Sequence, residues 1–237
     1  SLQALGGPDQ TNSSGLGGIV RAMKYAADNG AVVCQNSWGY TGQVSYMAWN
    51  RSSYSALRDV MNYFIRYAGI DENGRQTGPM KGGIIIFASG NEGKNELCYP
   101  AAADNCIGVS SISYTGDHAY YSNYGTWVDM SAPGGEMTWD DKGGVYSTSV
   151  EEDGGSGYCF LQGTSMACPH VRGACALAVS YYRQRYGMGL RPEALRQALL
   201  SSCRNEDSWM ESSYVGKMGV GNLDTYRLLL AMDRMAA

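Results

Sequence analysis

The residues best arranged for chemistry lie in Gln162-Gly163-Thr164-Ser165-Met166-Ala167-Cys168-Pro169-His170-Val171. A serine follows a tight Gly-Thr pair and opens a run of small apolar residues that reads as a helix. Glycine at 163 permits backbone torsions that other residues avoid. Ser165 then falls at or near a helix N-terminus, where unpaired N–H groups and the positive end of the helix dipole face whatever the hydroxyl attacks. That is the setting of an activated nucleophile. A serine that only caps a helix, followed by an early proline, shares part of this pattern. The complete ten-residue run favours the nucleophile.

The same run closely resembles the serine motif of the subtilisin-like serine proteases (subtilases), and the resemblance extends over nearly the whole chain. Ile84-Ile85-Ile86-Phe87-Ala88-Ser89-Gly90-Asn91-Glu92-Gly93 is similar to the strand and turn that carry the family's oxyanion asparagine. Ala31 to Gly39, ending Asn36-Ser37-Trp38-Gly39, resembles its substrate-binding strand. Tyr99-Pro100-Ala101-Ala102, Ser122-Asn123-Tyr124-Gly125, Ser131-Ala132-Pro133-Gly134 and Val220-Gly221-Asn222-Leu223-Asp224 follow in the family's order.

This resemblance implies a serine-type endopeptidase acting through an acyl-enzyme on Ser165. The Ser165 backbone N–H and the Asn91 side-chain amide are the implied oxyanion donors. An ordinary turn role is the other reading of Asn91. The implied partner is an extended peptide or protein substrate, bound as an added strand along Ser37, Trp38 and Gly39 and along Ala88, Ser89 and Gly90. These residues also wall the implied specificity pocket, whose floor falls near Cys98 and Tyr99.

The sequence departs from the family in one respect. Subtilases carry their triad in the order Asp, His, Ser. Neither the Asp motif nor His-Gly-Thr-His occurs here, and the chain has two histidines. His170 sits inside the serine motif, where the family uses it structurally. His118 lies in the polar segment Tyr114-Thr115-Gly116-Asp117-His118, which reads as an exposed turn. The expectation is an N-terminally incomplete catalytic domain spanning 1–237. Its missing N-terminal segment is then a natural partner, and the isolated chain is inactive and prone to self-association through open strand edges. The alternative is a pseudoprotease that binds or scaffolds peptides. An α/β-hydrolase esterase needs Gly-x-Ser-x-Gly followed by an acid and a histidine; Ser165 is followed by Met166-Ala167, and His170, inside the motif, is not a suitable base.

Composition narrows the classes. The 237 residues are 44% hydrophobic and carry a net charge of −4 with both signs interspersed. There is no basic stripe with interleaved aromatics, so nucleic-acid binding is unsupported. No apolar run approaches the roughly 20 residues of a membrane span. Secretion or attachment to the cell envelope is implied by the family alone. Seven cysteines cannot all pair within the chain. Cys34, Cys168 and Cys175 read as small buried hydrophobes, and Cys98 and Cys106 are the best-placed pair for a disulfide. No cofactor is needed for the chemistry. Structural calcium on Asp140-Asp141 or Glu151-Glu152-Asp153 is the one metal considered, but their spacing matches no EF-hand loop. These acids read as solvated.

Strand-length apolar runs alternate with helical patterns, which predicts a three-layer α/β/α sandwich with a mainly parallel sheet, subtilisin-like and lacking its N-terminal strands. Helices are predicted over 16–29, 53–68, 165–186, from Pro192, and over 225–235. Strands are predicted over 31–35, 84–88, 107–112 and 127–130. Residues 71–78 read as a polar surface loop, and 134–160 as Gly-rich turns.

Overall fold

The computed structural model of the protein describes residues 15–40, 44–150, 154–208 and 210–236. Four parallel strands form a sheet in the order β1-β2-β3-β4: β1 Val33–Asn36, β2 Ile84–Ala88, β3 Ile107–Ile112 and β4 Met130–Pro133. Register pairs Asn36 with Phe87, Ala88 with Val109, and Val109 with Met130.

The alternation of side chains along β2 builds the three layers. Ile85 and Phe87 point to one face, where α1 (Gly15–Asp28) and α3 (Ser55–Tyr67) cover them with Ile19, Met23, Leu57, Met61 and Phe64. Ile84, Ile86 and Ala88 point to the other face. There α4 (Thr164–Tyr186), α5 (Pro192–Ser202) and α6 (Thr225–Ala236) cover them with Ala167, Val171, Ala174, Leu195 and Leu228. A strand buried on both faces reads as a continuous apolar run, and all five residues of β2 are buried. Small residues on α4 let its backbone approach the sheet closely.

Several elements differ from the sequence reading. The last sheet strand starts at Met130, because Gly125 to Val128 form a turn closed by the Val128 N–H on the Gly125 carbonyl. The Gly-rich stretch contains an antiparallel hairpin of β5 (Val145–Val150) and β6 (Ser156–Leu161). Its sides are largely exposed, so burial leaves little apolar alternation to read. A short helix α2 (Tyr46–Trp49) precedes α3.

Cys98 and Cys106 do not pair, and both thiols are free. Cys106 is buried and points its thiol at the carbonyls of Pro100 and Ala103, whereas Cys98 lies against Gly39. Cys168 and Cys175 are fully buried and Cys34 is half-buried.

Asp140 accepts from the Lys142 N–H at 2.9 Å and so caps a 3-10 turn. Among the described residues no three His, Cys, Asp or Glu side chains gather as a metal site. Glu151, Glu152 and Asp153 lie outside the described residues. Among the described residues no helix is long and apolar enough to cross a membrane.

Candidate active site

The C-terminal ends of β1 and β2 and the N-terminus of α4 converge on one spot. Open parallel sheets bind ligands at this end of their strands. Gly163 has φ 144° and ψ 159°, a conformation that is essentially glycine-only, and it turns the chain sharply into α4. Its N–H donates to the Gly134 carbonyl and to the Tyr121 hydroxyl. The turn is therefore anchored before the helix begins.

Ser165 follows in the first turn of α4, half-buried. Its N–H has no hydrogen-bond partner among the described residues, as expected of an early helical donor. Its Oγ lies 3.5 Å from the Ser37 carbonyl. Four residues on, Pro169 has no N–H to give to the Ser165 carbonyl. That carbonyl instead accepts from Ser37 Oγ at 2.9 Å.

Asn91 stands beside this turn. Its Oδ1 accepts from the Thr164 N–H at 2.9 Å and the Thr164 hydroxyl at 2.8 Å. Both bonds use the oxygen, so the Nδ2 donor is left free, 3.6 Å from where a Cβ on Gly163 would lie. The Thr164 Oγ1 also accepts from the Gly90 N–H at 3.2 Å. Buried Thr164 thus ties the β2 turn to the start of α4.

Asn123 organises the rest of that turn. Its Nδ2 donates to the Ser89 carbonyl and to Glu92 Oε2, and its Oδ1 accepts from the Glu92 and Lys94 N–H groups. Gly90 has φ 103°, and a Cβ there would fall 2.4 Å from Asn123 Nδ2. Asn123 was legible only as part of the motif Ser122-Asn123-Tyr124-Gly125. Tyr121 carried no signal at all, because its role depends on a contact 42 residues away.

The two expected substrate edges differ. Trp38 and Gly39 form no backbone hydrogen bonds with other described residues, so that edge is open. Trp38 is held by its indole N–H on Asn36 Oδ1 at 3.1 Å and by edge-on packing against Phe87. The second edge is closed at Ser89 and Gly90. Ala88 pairs with Val109 in the sheet. The Ser89 N–H donates to Val109, the Gly90 carbonyl accepts from Asn123, and Ser89 is fully buried. Ser89 and Gly90 therefore have their own backbone groups engaged and position Asn91.

Neither histidine reaches Ser165. His118 is part-buried rather than in an exposed turn. It stacks on Tyr214 with ring centroids 3.8 Å apart, and its Nε2–H donates to the Ser122 carbonyl at 2.9 Å. His170 is exposed and donates from Nδ1 to the Met166 carbonyl. Around Ser165 the described residues place a hydroxyl and two free donors, with no imidazole or carboxylate on the hydroxyl.

Known proteins resemble this chain in sequence and fold. The profile of the subtilase family matches residues 3–221. A thermophilic serine proteinase of Bacillus sp. strain AK1 is 33% identical over 175 residues, which are 74% of this chain and 35% of that protein. Thermitase of Thermoactinomyces vulgaris is 32% identical over 175 residues, 74% of this chain and 50% of its own. This chain thus spans half or less of the length of these relatives. Among solved structures, a lanthipeptide protease superposes with a TM-score of 0.73 at 22% identity, covering 98% of this chain and 69% of that one. A protease from Pseudoalteromonas arctica PAMC 21717 superposes with a TM-score of 0.67 at 26% identity, covering 91% and 58%. The chain belongs to the subtilase family.

Proposed function

We propose that the chain carries the nucleophile and the oxyanion donors of a subtilisin-type serine endopeptidase. The observation that carries this reading is the Asn91–Thr164 contact. It engages the Asn91 oxygen and leaves its amide N–H groups free at the turn that leads into Ser165, whose own N–H is unpaired. A peptide lies along Trp38–Gly39, Ser165 Oγ attacks a carbonyl, and the resulting oxyanion is held by Ser165 N–H and Asn91 Nδ2. Loss of the corresponding asparagine in subtilisin, where the figure was measured, costs about 10² to 10³ in turnover.

Attack also needs a general base, which His118 and His170 do not provide. The isolated chain therefore hydrolyses peptides negligibly, and a base and its orienting carboxylate come from outside the described residues. An extracytoplasmic location belongs to the same proposal and rests on the family resemblance.

The test is made on the product of the natural reading frame. Peptide hydrolysis abolished by Ser165→Ala and cut about 10²-fold by Asn91→Leu supports the reading. Hydrolysis untouched by Ser165→Ala defeats it. The placement of both histidines away from Ser165 favours a second reading, a peptide-binding domain without hydrolysis. A natural frame that encodes no Asp-Ser/Thr-Gly and no His-Gly-Thr-His decides for that one.

A further inference from the structure

A cavity of about 210 Å³ opens beside Asn91, lined by Tyr40, Glu92, Lys94, Glu96, Leu97 and Cys98. Connectivity sets its place. One wall starts at Glu92, the residue after Asn91. The opposite wall is Tyr40, the second residue after Trp38 on the open edge. The floor joins the two, because Tyr40 N–H donates to the Tyr99 carbonyl at 3.1 Å and a Cβ on Gly39 would lie 3.5 Å from Cys98 Sγ. On the peptide-cleaving reading, a peptide along Trp38–Gly39 with its attacked carbonyl at Ser165 would have this cavity open to the side chain of the residue that carries the carbonyl.

The charges on the walls are not consumed within the fold. Among the described residues, no ion pair involves Glu92, Lys94 or Glu96. Glu92 is fixed to its wall, because Oε2 accepts from the buried Asn123 Nδ2 at 2.6 Å. The floor is neutral. Burial, followed by the negative charge of Glu92, pushes the Cys98 thiol up to about 11. Glu96 is half-buried at the cavity and accepts no hydrogen bond from any described residue. The Lys94 N–H is bound to Asn123 while its side chain lies exposed. The cavity therefore presents two carboxylates against one ammonium.

We propose that this cavity selects an arginine or lysine side chain at the residue whose carbonyl Ser165 attacks, with Glu96 as the specificity-determining residue. The inference rests on the peptide-cleaving reading above and adds the substrate class. A long alkyl stem lies along Tyr40 and Leu97, and its cationic head meets the carboxylates. An acidic side chain meets like charge, which selects against it. Glu92 keeps its wall negative whether or not Glu96 is engaged.

Binding tests this without requiring turnover. Product-like peptides of one sequence, ending in Arg, Lys, Phe or Glu, are titrated into the chain by calorimetry. Backbone amide NMR shifts of Gly90, Asn91 and Ser165 locate the site. The Arg and Lys peptides are expected to bind about tenfold more tightly than the Phe peptide, with Glu weakest. Glu96→Gln should weaken the Arg peptide about fivefold and leave the Phe peptide unchanged. Added salt should narrow the Arg-to-Phe difference in the unmodified chain, which needs no variant. Shifts at Ser165 and Asn91 with Phe bound as tightly as Arg overturn the charge selection and leave the peptide site standing. No shift at those amides with any peptide overturns both.

Discussion

Ser37 and Ser165, 128 residues apart in sequence, are locked by the Ser37 Oγ donating to the Ser165 carbonyl at 2.9 Å. The bond exists because Pro169 cannot make the helical one. A proline inside a helix normally only costs stability. Here it frees a carbonyl that fastens the end of β1 to the serine turn.

This relationship predicts coupling between Ser37 and Pro169. Ser37→Ala should cost about 1 kcal/mol of stability, since it strips the partner from the Ser165 carbonyl. In a Pro169→Ala background the helix supplies its own N–H, and the same change should cost less than half as much. Urea unfolding of the four variants measures the cycle. Equal costs in both backgrounds would mean that Pro169 does not create the bond.

Gly163→Ala tests the turn. An added Cβ finds room, at 3.6 to 3.7 Å from the Asn91 side chain. The penalty is therefore backbone strain at φ 144°, expected to be about 2 kcal/mol. A thermal midpoint unchanged by this substitution would show that the turn relaxes without cost.

Arg196 pairs with Asp129 at 2.6 Å, both largely shielded from solvent, and Asp129 Oδ2 accepts from the Gly108 N–H. Burial raises the Asp129 carboxyl above its ordinary range, while Arg196 and Gly108 pull it back. Ionised Asp129 therefore subtracts from stability above the ordinary carboxylate range, and protonation relieves this as pH falls through the raised value. Arg196→Met removes the main counterweight. It should cost about 2 kcal/mol near neutrality and clearly less at about pH 5. A cost independent of pH would assign Arg196 a packing role only.

His118 gives the opposite slope. Burial lowers its pKa, partly offset by the hydrogen bond to Ser122. The folded chain thus resists protonation that the unfolded chain accepts. Stability present near neutrality should fall as pH drops through the ordinary histidine range towards the lower folded value. His118→Phe keeps a ring against Tyr214 and cannot ionise. Its unfolding midpoint should vary less between about pH 7.5 and 5.5 than that of the unmodified chain. Parallel profiles would contradict the assignment.

Much of this was legible from local pattern. The continuous apolar run Ile84–Ala88 marks a strand covered on both faces, and the Leu57, Val60, Met61, Phe64 spacing marks α3. The Gly163-Thr164-Ser165 run placed Ser165 at the start of α4. What was not legible depends on distant contacts. Tyr121 and Asn123 act through partners tens of residues away. The β5–β6 hairpin has exposed sides, so its alternation is of hydroxyls and tyrosines rather than of core and surface. Ser89 and Gly90 read as an edge because sequence does not show that Val109, Asn123 and Thr164 already occupy their backbone groups.

The most direct test of the account is fluorophosphonate labelling, read by mass spectrometry of the Ser165 peptide, in the isolated chain and in the natural gene product. Rapid labelling of Ser165 is expected in the natural product and negligible labelling in the isolated chain, where both histidines are engaged away from Ser165. Rapid labelling of Ser165 in the isolated chain, or labelling of the natural product elsewhere than Ser165, would contradict the account.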